Sequence, residues 1–214
     1  MSRVLRDIKK IDLRLPINMS TSSDPYVPEE EKYGITRRIL EHLIPIGARI
    51  LITTKGRVIV RDVDILSRGN VAVMITITTL DDGLARVLEP NAPPPKVRLE
   101  ILSILSRAGV PTGVRIDPII PYLNDDPSML RRLVSEVIDA GAMHIVTSTY
   151  KAKPDSLRRL TLAFPEISER LKLLYGERRG YGGYRYLPTN MRRRLLEPVI
   201  REASDKGVTV ATCR

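Results

Sequence analysis

The stretch Val71-Ala72-Val73-Met74-Ile75-Thr76-Ile77-Thr78 decides the fold. Its run of β-branched and apolar residues is strand length, too short for a full core helix, and ends in hydroxyls. Similar runs recur to either side: Leu13 to Ser20, Ala48 to Thr54, Thr112 to Ile116, Ala142 to Thr149 and a short last one, Gly207 to Thr212. Helical periodicity fills the gaps. Ile35, Ile39, Leu40 and Leu43 share a helical face that Pro45 and Gly47 end, and Arg61 to Leu66 reads as a short helix. Pro95 to Ala108 has proline in its first turn and Gly109 past its end, and Pro127 to Ala140 has Asp125 or Asp126 as N-cap and Gly141 as its stop. Leu157 to Tyr175 is helical in pieces around Pro165, and Pro188 to Asp205 is one further helix.

Strands alternating with short helical crossovers make a parallel α/β sheet. Their near-continuous apolar character predicts a sheet covered on both faces. An open doubly wound sheet and a full or partial barrel both satisfy this pattern. Val4, Leu5, Ile8 and Ile11 read as an amphipathic helix with no strand before it, as if the chain opened inside a crossover.

Composition narrows the function classes. The chain has 214 residues, 43% of them apolar and 28% charged, which suits a packed core. No run approaches the roughly 18 apolar residues of a membrane span, and Met1 to Asp7 has no signal-peptide core. Cys213 is the single cysteine, so no internal disulfide is possible and a cytoplasmic location is expected. One thiol with His42 and His144 excludes the common structural zinc sets, and an iron–sulfur cluster needs more thiolates than this. There is no P-loop, no dinucleotide fingerprint in the right context and no Ser-His-Asp set. The net charge of +10 fits either a solvated surface or attraction to nucleic acid.

Parallel α/β folds bind ligands at the carboxyl ends of their strands. There the sequence places Ser23-Asp24-Pro25-Tyr26, Thr54-Lys55-Gly56, Thr76, Thr78 and Asp81, Asp117-Pro118, and Thr147 to Lys151. Lys55 suits a carboxylate; Asp24 or Asp117 suits an ammonium or a ribose. Each also has a structural reading: Asp24 before proline caps a turn, Asp117 makes an Asp-Pro bend, and threonine is at home in strands. Residues 172–201 interleave arginine with tyrosine, and Arg178, Arg179, Tyr181, Tyr184, Arg185, Arg192 and Arg193 form a candidate nucleic-acid contact. The alternative is a solvated helix whose tyrosines pack the body.

Several segments carry a resemblance. They are Thr21-Ser22-Ser23-Asp24-Pro25-Tyr26, Tyr33-Gly34-Ile35-Thr36-Arg37, Thr54-Lys55 with Arg61-Asp62-Val63-Asp64, Ile75 to Asp81, Leu88-Glu89-Pro90-Asn91, Arg98-Leu99, and Pro118 to Asp125. In order and spacing they resemble the radical S-adenosylmethionine (radical SAM) superfamily, in the branch similar to spore photoproduct lyase, including its archaeal members. The resemblance runs along residues 1–150.

That resemblance implies a partial (β/α) barrel, S-adenosylmethionine (SAM) as cofactor, and a [4Fe–4S] cluster on a Cys-x3-Cys-x2-Cys loop. It implies SAM contacts at Ser23, Asp24, Lys55 and Thr76, with Asp117 in a position of less certain correspondence. Glu89 and Arg98 are expected to pair structurally. It also suggests a DNA-repair connection. The cluster loop and its strand have no counterpart here, so the resemblance implies a truncated or split form that does not hold the cluster by itself; a cluster-free nucleic-acid-binding barrel or pseudoenzyme is the alternative. The expected organisation is a barrel core over 1–150 and a basic, aromatic extension over 151–214. The sheet edge beside Leu13 to Ser20 is expected to pair with a second copy or a complementing chain.

Overall fold

The computed structural model describes residues 6–8, 10, 12–19, 23–176 and 181–213, with only the backbone at 181. Among these, six strands form one parallel sheet: β1 (Ile17–Met19), β2 (Ile50–Thr54), β3 (Val71–Thr76), β4 (Thr112–Ile119), β5 (His144–Thr149) and β6 (Thr209–Thr212). Their spatial order is their sequence order. A doubly wound sheet reverses its strand order at a switch point. An unreversed order is that of a barrel segment, and this decides between the two architectures the sequence left open.

The crossovers are helical. Between β1 and β2 lie α1 (Glu30–Tyr33) and α2 (Ile35–Leu43); α3 (Val63–Leu66) follows β2 behind a 3-10 turn at Arg57–Asp62. After β3 come α4 (Asp82–Leu88) and α5 (Pro95–Arg107), after β4 α6 (Pro127–Asp139), and after β5 α7 (Pro154–Ala163), α8 (Ser168–Tyr175) and α9 (Thr189–Asp205). Helix α4 is absent from the sequence reading. Asp81, taken there as a strand-end polar residue, is its N-cap and accepts from the Leu84 amide at 2.9 Å. Residues beyond 150 supply β6 to the sheet, while α9 packs on α6 and β5.

The register sorts the side chains. Residues paired across parallel strands share a face. Ile75, Val114, Ile145 and Val210 lie in one such row, and this face carries Ile50, Ile52, Val71, Val73 and Ile116 into the helix-packed core. The opposite row at the same height holds Met74, Gly113, His144 and Thr209. Two residues further along come Thr76 and Arg115, then Asp117 and Ser148. The apolar cover is therefore one-sided, not on both faces as expected. The strands read as continuously apolar only because small or hydroxylated residues alternate with branched ones on the concave side. Gly113 is fixed by that packing, since a Cβ there would sit 2.6 Å from the Met74 sulfur.

The segment after β1 is tied down by charge. Asp62, fully buried, accepts from the Tyr26 hydroxyl at 3.1 Å, from Arg61 at 2.8 Å and from Arg37 at 3.2 Å. Glu30, also buried, accepts from the amides of Ile35 and Thr36 and from Arg61. Thr36 donates to the Pro25 carbonyl at 2.6 Å. Burial, and secondarily the Asp62 charge, push the Tyr26 hydroxyl well above its ordinary range, so it stays a donor. No helix among the described residues is long and apolar enough to cross a membrane.

Two outcomes follow for stability. Asp62→Ala leaves two guanidinium groups and a phenol without their shared acceptor and lowers unfolding free energy by about 3 kcal/mol in a urea titration. Asp64 is held down to about 2 by its hydrogen bonds to Arg37. Because its folded value lies below its unfolded one, the stabilisation is present above about pH 4 and is lost as pH falls toward 2. Melts of wild type and Asp64→Asn taken from pH 6 to pH 2 should differ at the upper end and converge at the lower.

Candidate functional site

The strand ends carry a cavity of about 760 Å³ on the β1–β3 side, lined among others by Asp24, Tyr26, Lys55, Gly56, Glu89 and Asn91. Three elements build it. The loop after β1 gives Asp24 and Tyr26, the end of β2 gives Lys55 and Gly56, and the end of α4 gives Glu89. Gly56 is required by contact: a Cβ would fall 1.9 Å from the Tyr26 carbonyl oxygen. The loop is thus pressed directly onto the end of β2.

Asp24 holds that junction. It accepts from the Thr54 hydroxyl at 2.5 Å, the Lys55 amide at 2.8 Å and the Tyr26 amide at 2.9 Å. A carboxylate offers about four acceptor positions, so three of them are occupied by the protein. Asp24 orients the Lys55 backbone and keeps at most one position for a ligand. Ser23, just before it, is exposed.

Lys55 is the cation of the cavity. Its ammonium lies 3.4 Å from Glu89 and the side chain keeps 34% exposure. Glu89 also receives Arg98 at 2.5 Å. Arg98 is fully buried and donates in addition to the carbonyls of Thr76 at 3.1 Å and Pro93 at 2.7 Å. The Glu89–Arg98 pairing expected from sequence is present, and Glu89 reaches Lys55 as well. An arriving carboxylate can take Lys55 away from Glu89 without stranding a charge, since Arg98 continues to neutralise Glu89.

The structure groups the remaining candidates differently. Thr76 is buried on the concave face and meets the site through its carbonyl and Arg98. Asp117 lies on the same face, away from the Lys55 cavity, bound to Arg115 and to the Ser148 hydroxyl at 2.7 Å. Arg115 was not among the sequence candidates. The alternation Arg115-Ile116-Asp117 is the signal that places both charges on one face.

In the extension, Arg192 and Arg193 line a second cavity at the ends of β5 and β6. Tyr184 stands apart from it with the Lys153 ammonium 4.6 Å above its ring. Arg185 forms a backbone bridge with Ala152, and its guanidinium donates to the Tyr175 carbonyl at 3.3 Å. Arg178, Arg179 and the Tyr181 side chain lie outside the described residues. Among the described residues no group of three or more His, Cys, Asp or Glu is placed to hold a metal ion, and the single thiol, Cys213, is exposed and directly follows β6.

No family model matches the chain. It is 36% identical over 130 residues to the uncharacterized protein ORF301 of Acidianus two-tailed virus, covering 58% of this chain and 42% of that protein. It is 23% identical over 202 residues to a radical SAM Nalpha-GlyT isomerase of Pseudomonas phage M6, covering 91% of this chain and 41% of that one. The chain spans about half the length of the curated relatives it matches. Among solved structures, a spore photoproduct lyase variant with bound AdoMet and dinucleoside spore photoproduct superposes with a TM-score of 0.73 at 16% identity, over 98% of this chain and 64% of the other. SuiB of Streptococcus suis, bound to S-adenosylmethionine, gives 0.65 at 16% identity, over 99% of this chain and 42% of the other. At these identities the likeness concerns architecture: the chain has the partial-barrel fold of radical SAM enzymes.

Proposed function

We propose that this chain is the SAM-binding barrel of a radical SAM protein similar to spore photoproduct lyase, with Lys55 receiving the ligand's carboxylate. The observation that carries this reading is the Lys55 ammonium opening into a cavity of about 760 Å³ beside a carboxylate that Arg98 already neutralises. The bound AdoMet in the spore photoproduct lyase and SuiB structures supports it.

Each residue then has a task. Asp24 fixes the end of β2 so that Lys55 projects into the cavity, and Tyr26 closes the wall behind it. Glu89 holds the lysine until the ligand arrives. Thr76 offers a hydroxyl on the concave face, where Arg115 and Asp117 form a charged pair for the substrate side.

A [4Fe–4S] cluster, which in such proteins supplies the electron that cleaves SAM, does not fit these residues alone. It needs several thiolates, and the 214 residues contain one. On this reading the thiolates would have to be supplied from outside these residues, and among the described residues β1 lies at the edge of the sheet, where a complementing strand could pair. A cytoplasmic setting follows the same logic, since a reducing compartment suits such a cluster.

A second reading, a cluster-free nucleic-acid-binding barrel, is favoured by the net charge of +10. A DNA-repair role would join the two readings.

Calorimetric titration with SAM decides between them. Wild type should bind, and Lys55→Ala should weaken binding roughly 10- to 100-fold, the worth of one charge-assisted contact. Lys55→Arg should recover part of it. Undetectable binding in wild type, or equal binding in the alanine variant, overturns the assignment; salt-sensitive retention of DNA without SAM binding would then favour the second reading.

A further inference from the structure

The opposite side of the same strand ends holds a cavity of about 390 Å³ that the SAM reading does not use. Thr149 closes it from β5, Thr212 and Cys213 from β6, and Thr189, Arg192 and Arg193 from the start of α9. None of the described residues lining it is acidic.

Several arginines elsewhere in the fold are neutralised by carboxylates. Arg37, Arg61, Arg98 and Arg115 each have a carboxylate partner, and Arg201, further along α9, pairs with Glu197 at 2.5 Å. Among the described residues neither Arg192 nor Arg193 has one. Arg192 donates one terminal nitrogen to the Thr189 hydroxyl at 3.3 Å, while its Nε is buried without a partner. A buried donor left unmatched costs about 1–3 kcal/mol and is tolerated where something else supplies the acceptor.

Pro188 at the N-cap of α9 supplies no side-chain cap, while the Met191 amide in its first turn donates to the Asn190 side chain; helix amides at that end favour anions. Two guanidinium groups and threonine hydroxyls from three elements form a donor-rich, cationic surface suited to an oxyanion.

We infer that this cavity is a phosphoryl-binding site, with Arg192 and Arg193 as its principal ligands. The phosphoryl group belongs either to a phosphodiester of single-stranded nucleic acid crossing the mouth of the barrel or to a free phosphate ester. The inference does not depend on Lys55, and it stands if SAM fails to bind.

The test uses the full chain, two probes and two arginine variants. Inorganic phosphate is titrated calorimetrically, and a fluorescent ten-nucleotide oligo-dT is titrated by anisotropy at low salt. Arg193→Ala, at an exposed position where folding is unaffected, should weaken phosphate binding roughly ten-fold or more. Arg201→Ala, the same charge change on the same helix outside the cavity, should alter it by less than about two-fold. Circular dichroism melts confirm that both variants fold. If Arg193→Ala also weakens oligo-dT binding and phosphate competes with it, the site takes a phosphodiester. If phosphate binds with the same variant pattern but oligo-dT does not bind, the site takes a free phosphate ester. Absence of binding by both probes, or equal loss in Arg201→Ala, overturns the proposal.

Discussion

The buried carboxylate of Asp62 is the constraint around which one side of the barrel is organised. It lies at the end of the 3-10 turn after β2 and gathers the Tyr26 phenol with the guanidinium groups of Arg61 and Arg37. A buried charge persists when every partner is in place, so three separate segments are held to one geometry. Tyr26 is thereby pinned, and with it the loop that presents Asp24 to the end of β2. The Gly56 backbone then packs directly against the Tyr26 carbonyl. The wall of the Lys55 cavity is a consequence of a structural ion network located behind it.

A second chain of contacts sets the charge of the site. Arg98 on α5 is buried and donates to two backbone carbonyls and to Glu89, leaving one terminal nitrogen without a partner among the described residues. Glu89 consequently meets Lys55 with its charge already shared. On the proposed reading, this leaves the half-buried Lys55 without a strong competing pair when an anionic ligand arrives. On the other side of the concave face Arg115 and Asp117 neutralise each other, and at the last two strands the balance tips to positive with Arg192 and Arg193. The mouth of the barrel thus has a graded polarity from β1 to β6, while the helix-packed face beneath it is mainly apolar, with buried Thr54, Thr112 and Thr147 among its branched residues.

Much of this was legible in the sequence. The strand runs, the proline-started helices and the glycine stops located most elements, because those signals are local. Helix α4 escaped notice because it is short and follows hydroxyl-rich residues that read as strand continuation; only Asp81 marked it. The one-sided cover escaped because Met74, Gly113 and Val146 on the concave side are as apolar as a core residue. Among the resemblance motifs, Asp24, Glu30, Arg37, Arg61 and Asp62 turn out to be joined in hydrogen-bonded networks that hold the loop after β1. Lys55, by contrast, lines the cavity with its ammonium shared, among the described residues, only with Glu89. Nothing in the sequence alone distinguishes those two kinds of residue, since burial depends on how the loop folds back.

The most direct test is a crystal structure of the chain with S-adenosylhomocysteine, which presents the same amino-acid carboxylate without requiring turnover. The account predicts that the Lys55 ammonium leaves Glu89 for the ligand carboxylate, while Glu89 remains on Arg98 and Asp24 remains on the Lys55 and Tyr26 amides. A ligand bound elsewhere with the Lys55–Glu89 contact intact would contradict it.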